Sequence, residues 1–284
     1  MAEIIDGKEL AKKVRKELKK DVEELKAKGI NPKLAVIMVG NDPGSTVYVR
    51  NKSKACEKVG IEFEEFLFDE KTEESELLEL IDKLNADDTV HGILLQCPVP
   101  KHIDVNKAFR RISPNKDVDG FNPINVGNLT IGEDAFISCT PYGVVKMFEE
   151  YNIETEGKRA VILGRSNIVG KPMIQCMLNK NSTVTVCHSR TQNIGEVIKE
   201  ADIVIAAIGK PNFVKADMVK DGAVVIDVGI NRLDDGTITG DVDYENVAPK
   251  ASYITPVPGG VGPMTIAMLM HNTLESALNT LEEK

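Results

Sequence analysis

Tyr48 and Lys52 stand four residues apart in the stretch STVYVRNK, a spacing that places two side chains on one face of a helix. A phenol beside an amine is suited to proton transfer, and a lysine serves as base once burial or a nearby cation has lowered its pKa enough to leave it neutral. The same pair also fits a solvated lysine beside a half-buried tyrosine. Their place in the chain favours chemistry, because both follow the polar loop at 40–45, which ends the apolar run at 34–39. Ligands of open α/β sheets bind at the carboxyl ends of such strands. Gln96 closes a second apolar run, in GILLQCPVP, where it can bond its own loop or face the same crevice. Lys116, Asp117 and Asp119 follow in the polar stretch NKDVDGFNP. Acidic residues near glycine are commonly turn formers, so no single one of the three declares itself catalytic.

A second constellation lies downstream. In KRAVILGRSNIVGKP an apolar run at 160–163 stops at Gly164, and a helical pattern opens at Gly170. Strand, tight turn and helix N-terminus form a phosphate-binding unit, in which unpaired N–H groups and the helix dipole attract anions. The glycine spacing departs from G-x-G-x-x-G, since Ser166 and Val169 occupy the later glycine places, and an ordinary strand-to-helix connection fits as well. The next strand, 183–187, ends in HSRT, where an NAD site usually carries a carboxylate for the ribose hydroxyls. Ser189 and Arg190 stand there instead, with Arg165 in the turn itself. Guanidinium groups and hydroxyls in that position favour the extra phosphate of NADP. The segment TPVPGGVGPMT, containing Gly262 and Pro263, is either a glycine-rich turn opening a terminal helix or a place where backbone approaches a flat ligand closely.

These groups need a scaffold, and the pattern of the chain supplies one. The spacing predicts helices over 8–28, 46–59 and 73–84 and strands over 34–39, 63–68 and 92–95. After a long polar segment at 113–140, expected as a functional loop, a helix begins at Pro141. Strands follow over 160–163, 183–187, 203–207 and 223–228, with helices over 171–179 and 194–200 between them and a final helix over 263–281. Strands alternating with helices imply parallel sheets covered on both faces. The terminal helix is expected to return to the first domain.

Length and composition agree with two ordinary globular domains. The chain has 284 residues, 42% of them hydrophobic and 28% charged, with no internal repeat or low-complexity tract. A net charge of −9 and a pI near 5.2 argue against general nucleic-acid or anionic-membrane binding. Five scattered cysteines without metal-ligand spacing, no basic and apolar leader and no long apolar run lead to the expectation of a reduced, cytoplasmic protein without a structural metal or membrane span.

The ordered set YVRNK, GILLQCPVP, KDVDGFNPINVGNL, CTPYGVV, GRSNIVGKP, VTVCHSRT and PGGVGPMT resembles the bifunctional methylenetetrahydrofolate dehydrogenase/methenyltetrahydrofolate cyclohydrolase family over nearly the whole chain. Asn122 and Cys97 depart from the His and Leu that the resemblance leads one to expect. The resemblance implies an α/β fold of two domains, each a mainly parallel sheet with flanking helices, the second Rossmann-like, with an active-site cleft between them. The folate-binding catalytic domain would comprise 1–140 and 262–284, and the NADP-binding domain 141–261. It further implies a homodimer acting on tetrahydrofolate derivatives, with Lys52 in proton transfer, Gln96 holding it, Tyr48 packing on the folate, Asp119 binding the pterin, and Gly262 and Pro263 near the substrate. Gly164, Arg165, Ser166, Ser189, Arg190, Gly209 and Ile230 would face NADP. Two readings compete: another two-domain dehydrogenase, resembling shikimate dehydrogenase, and a nucleotide-binding regulator without activity.

Overall fold

A computed structural model describes residues 2–282. Through the first half run β1 (Glu3–Ile4), α1 (Gly7–Ala27), β2 (Lys33–Val39), α2 (Pro43–Val59), β3 (Glu62–Phe68), α3 (Glu74–Ala86), β4 (Gly92–Leu95), α4 (Val105–Arg111), α5 (Pro123–Ile131) and α6 (Cys139–Glu150). The second half continues with β5 (Arg159–Leu163), α7 (Gly170–Asn179), β6 (Thr183–Cys187), α8 (Ile194–Lys199), β7 (Ile203–Ala206), β8 (Val224–Asp227), β9 (Asn231–Arg232), β10 (Ile238–Thr239), α9 (Tyr244–Val247), β11 (Tyr253–Ile254) and α10 (Val261–Glu282). These elements form two compact units, one of residues 12–139 with 266 onward, the other of the residues up to 11 with 140–265.

The first unit is built on a three-stranded parallel sheet in the order β3-β2-β4. The unbroken apolar run KLAVIMV makes β2 the central strand, buried beyond its first residue, as a strand covered on both faces requires. Ala35, Ile37 and Val39 pack against Leu77, Ile81 and Leu84 of α3. Asp42 starts α2 by accepting from Ser45 N–H at 2.7 Å, and Gly60 ends it in the left-handed region at φ 86°, the conformation that glycine adopts without steric cost. Because β3 and β4 flank β2 on opposite sides, the loops after β2 and β4 border a switch point, the kind of place where open parallel sheets bind ligands.

The segment 113–140 is more ordered than its composition suggests. It holds a 3-10 turn over Pro114–Lys116 and all of α5. Asn122, one of the two departures from the family pattern, caps α5 by accepting from Ile124 N–H at 2.8 Å. Pro123 supplies the first turn, and Gly132 closes the helix at φ 80°. Start and stop signals were thus present, but a helix of nine residues framed by Asn, Pro and Gly shows too little periodicity to stand out from a loop.

The second unit carries a six-stranded sheet in the order β1-β11-β8-β7-β5-β6, parallel at every pairing. Its central strands are buried, with Val161, Leu163, Val204, Ala206 and Val225 in one core cluster. Here β6 and β7 flank β5 on opposite sides, so the turn after β5 lies at a second switch point. The expected boundary at 1–140 needs correction at the amino terminus. Glu3 and Ile4 pair with Tyr253 and Ile254, so this short strand belongs to the sheet of the second unit. A two-residue strand carries no period by which to recognise it. The terminal helix also divides differently from the expectation: 261–265 group with the second unit and the remainder with the first. At that end Thr140 Oγ1 lies 3.0 Å from Thr265 Oγ1, and a Cβ on Gly143 would come within 2.9 Å of Met264 Cβ.

Candidate active site

The switch point of the first unit brings Lys52 and Gln96 together. Lys52 points inward from α2, is only 9% exposed, and donates to Gln96 Oε1 at 2.8 Å. Gln96 is itself oriented, its Nε2 donating to Cys97 O at 2.8 Å. One turn before Lys52, Tyr48 is 41% exposed, as an aromatic side chain available for stacking would be, and burial of its ring pushes the phenol pKa up. Burial lowers the Lys52 pKa, opposed chiefly by the negative charge of Asp119. For Asp119 the signs reverse: burial raises its pKa, while the Lys52 charge and a hydrogen bond with Cys139 act against the rise. An amine and a carboxylate that act on each other and have opposed shifts are suited to proton transfer and substrate orientation.

The three charged residues of NKDVDGFNP take different parts. Lys116 donates to the carbonyls of Leu84, Asn85 and Asp87, closing the end of α3. Asp117 is buried and accepts from the N–H groups of Phe121 and Asn122 and from Asn125 Nδ2, so it folds the loop, and burial pushes its pKa up to about 7. That leaves Asp119 as the carboxylate whose charge acts most on Lys52. A hollow of about 680 Å³ opens beside Asn31, His91 and Lys116, at the amino ends of β2 and β4, and its wall contains none of Tyr48, Lys52, Gln96 and Asp119.

In the second unit, a cavity of about 280 Å³ has Gly164, Arg165, Ser166, His188 and Ser189 in its wall. Gly164 has φ 120°, and a Cβ there would run into Ala207 O, so only glycine fits the turn. Gly170 lets the helix start close in, since a Cβ there would lie 2.6 Å from Gly164 O. Open N–H donors were expected at the start of α7, but Ser166 has used three of them. Its Oγ accepts from Val169 and Gly170 at 3.2 Å each, and its carbonyl from Lys171 at 2.9 Å. A phosphate at this turn would therefore meet the Arg165 guanidinium and the Ser166 hydroxyl proton in place of those amides. The exposed Arg165, with Ser189 at the end of β6, fits a dinucleotide carrying an additional phosphate.

The remaining expected residues are spread around this unit. Arg190 is exposed beside Ser189, its N–H donating to His188 Nδ1. Gly209 takes φ 65°, but its N–H, with those of Ile208 and Lys210, is taken by the buried Asp241 carboxylate. Ile230 is 50% exposed, and a Cβ on Gly262 would lie 3.8 Å from its Cδ1. Gly262 and the adjoining Pro263 thus share a unit with Ile230, whereas Lys52, Gln96 and Asp119 belong to the other. Sequence reasoning passed over Cys139, Asp241, Lys210 and Phe213, the last two in the cavity wall with the Lys210 ammonium 5.6 Å from the Phe213 ring centre. Asp241 had only a weak local signal, an acid directly after a glycine.

Among the described residues, no three His, Cys, Asp or Glu side chains gather as a metal ion would need, and no helix is long and apolar enough to cross a membrane. Two family models match the chain: the catalytic domain of tetrahydrofolate dehydrogenase/cyclohydrolase over 5–119, and the NAD(P)-binding domain of the same family over 138–281. The bifunctional protein FolD of Bacillus pumilus is 58% identical over 280 residues, covering 99% of each chain. The crystal structure of the bifunctional FolD methylenetetrahydrofolate dehydrogenase/cyclohydrolase of Campylobacter jejuni is 52% identical, with a TM-score of 0.98 over 99% of this chain and 100% of that one. The Trypanosoma brucei dehydrogenase-cyclohydrolase, solved with NADP and an inhibitor, is 37% identical, with a TM-score of 0.95 over 99% and 98%. With a buried lysine–glutamine pair at one switch point, a glycine turn at the other and relatives alike from end to end, the chain belongs to the tetrahydrofolate dehydrogenase/cyclohydrolase family.

Proposed function

We infer that this chain oxidises 5,10-methylenetetrahydrofolate to 5,10-methenyltetrahydrofolate with NADP, and then hydrolyses the product to 10-formyltetrahydrofolate. The observation that carries the reading is the buried Lys52 amine, 2.8 Å from Gln96 and facing the field of Asp119, in a chain of this family. In this reading the unit of 12–139 binds folate and the unit of 140–265 binds NADP.

NADP, when bound, supplies the hydride acceptor. The lone pair of a neighbouring folate nitrogen stabilises the cation that hydride loss creates, so the protein's part in this step is to position rather than to move a proton. Gly164, Arg165, Ser166 and Ser189 hold the nucleotide, with Arg190, Gly209 and Ile230 at its margins. Tyr48 packs on the folate, Asp119 accepts hydrogen bonds from the pterin, and Gly262 and Pro263 contribute to substrate binding.

Hydrolysis does need a proton carrier. Water adds to the methenyl carbon and loses a proton; the bond from that carbon to the ring nitrogen then breaks as the nitrogen takes a proton up and the adduct's hydroxyl gives its proton away to become the formyl carbonyl. Lys52 fits both halves, as base when neutral and as acid once protonated. Its lowered pKa enlarges the neutral fraction, and a cationic substrate enlarges it further, because like charges disfavour the ammonium. Gln96 keeps the amine aimed. We also propose that the protein works as a cytoplasmic homodimer, and that it has no nucleic-acid partners, the last of which the acidic balance of the chain supports.

Incubation with methylenetetrahydrofolate and either NADP or NAD, followed at the reduced-nicotinamide absorbance, tests the first activity. Decay of methenyltetrahydrofolate without nucleotide tests the second. Nucleotide binding with neither activity would replace this reading by the non-catalytic regulator, and sedimentation velocity reads the assembly.

A further inference from the structure

The terminal helix carries a buried polar side chain directed at the loop of Asp119. Asn272 is fully buried, and its Nδ2 donates to Val118 O at 2.9 Å and Ile137 O at 3.1 Å, with Cys139 Sγ at 3.8 Å. Those two carbonyls belong to segments that meet at Gly120. At φ 72°, a Cβ on Gly120 would lie 2.5 Å from Phe136 O and 2.6 Å from Ser138 N, so the two segments are in backbone contact. The amide of Asn272 ties them together beside that contact. Asp119 is therefore bracketed by a neighbour held by Asn272 and a neighbour held by close packing, beside Cys139, whose thiol donates to Val118 O at 3.3 Å and whose sulfur Asn272 also approaches.

The oxygen of the same amide has no partner although it is buried. A buried acceptor left unmet costs stability, and an apolar residue of similar size would avoid the cost. Anchoring of the helix does not explain it, since Ser276, one turn further along, already donates to His91 O and Asn115 O. What distinguishes Asn272 is that both of its donors are spent on the segments that place Asp119.

We propose that Asn272 is a positioning residue for the folate chemistry, holding Asp119 toward Lys52 by bridging Val118 and Ile137. This rests on the role of Asp119 given above. Asn272 itself touches no substrate and acts through the loop.

The test is a double-mutant cycle on cyclohydrolase kcat/KM with Asn272→Asp, Asp119→Ala and the pair, together with thermal melting. Asn272→Asp keeps the shape but turns an oxygen toward the two carbonyls. It is expected to lower kcat/KM by about tenfold or more, mainly through a raised folate KM, to leave the KM for NADP unchanged, and to add nothing in the Asp119→Ala background, as coupled neighbours behave. Additive losses overturn the proposal. Should Asn272→Asp not fold, Asn272→Ala takes its place in the cycle with the same expectation. Ser276→Ala, which loosens the helix elsewhere, is expected to lower the melting temperature and keep the folate KM; a KM raised as far as in the Asn272 variant overturns the proposal. If Asp119→Ala alone leaves the folate KM unchanged, the role of Asp119 fails and this proposal falls with it; if Asp119→Ala raises it and Asn272→Asp does not, only this proposal falls.

Discussion

Replacing Lys52 by Met separates the two activities. The side chain is 9% exposed, and methionine matches the length of its stem, so the substitution removes the amine without opening a large cavity. Loss of a positioned base costs about 10²–10⁴-fold in rate, or roughly 2.7–5.4 kcal/mol of transition-state stabilisation. Decay of methenyltetrahydrofolate in the absence of nucleotide should slow by that factor. Reduction of NADP by methylenetetrahydrofolate should fall by no more than about tenfold, because positioning carries that step. Parent cyclohydrolase should rise with pH and level off at an apparent pKa below 10.5, following the direction of the Lys52 shift, whereas the variant should lack that limb. Stability gives an independent reading. In the parent, a folded pKa below the unfolded one means that stability is reduced at low pH and recovers as pH rises from the folded value toward 10.5. Lys52→Met lacks this titration, so its stability relative to the parent should fall as pH rises from the folded value toward 10.5. A variant that keeps cyclohydrolase within about threefold, well inside the range expected for loss of a base, would remove Lys52 from the mechanism.

Other consequences are open to measurement. Arg165→Ala should raise the Michaelis constant for NADP by about tenfold or more, as loss of a charge-assisted hydrogen bond of roughly 1.5–3 kcal/mol implies, and that for NAD much less; an unchanged NADP/NAD ratio would refute the assignment. Gly164→Ala must force a Cβ against Ala207 O at φ 120°, so it should weaken nucleotide binding and cost about 1–3 kcal/mol of stability in urea; a variant with parental nucleotide affinity would show that the turn tolerates a side chain. Asp117, raised to about 7 by burial, contributes stability at low pH that is lost as pH rises from 3.8 through about 7, roughly 4 kcal/mol at most. Asp117→Asn should be destabilising, because an amide cannot accept from all three N–H donors, and its deficit relative to the parent should narrow over that pH window; a deficit independent of pH would show that Asp117 is ionised throughout.

How much of this was legible in the chain depends on the distance over which each feature is encoded. Runs such as KLAVIMV and RAVIL announce buried parallel strands because a strand covered on both faces must be apolar throughout. Gly164, Arg165 and Ser166 were legible for the same local reason: turn, charge and helix start lie within a few residues. Tyr48 and Lys52 owe their common face to helical spacing alone. The two-residue strands β1 and β11 escaped because they are too short to show a period, and α5 because its turn-forming Asn, Pro and Gly mask the period of its nine residues.

The sequence by itself therefore determined the types of element, the strand ends at which chemistry could occur, and the residues available there. Tertiary structure decided what those residues became. Lys52 meets Gln96 across 44 positions, and Asn272 reaches Val118 across 154. The choice between Asp117 as a fold-forming acid and Asp119 as a site acid turns on which carboxylate finds N–H partners within the loop. Burial, and with it the direction of every pKa shift in the site, exists only once distant segments exclude water together. No local pattern records that, because desolvation is a property of the packed assembly of segments and not of any one stretch of chain.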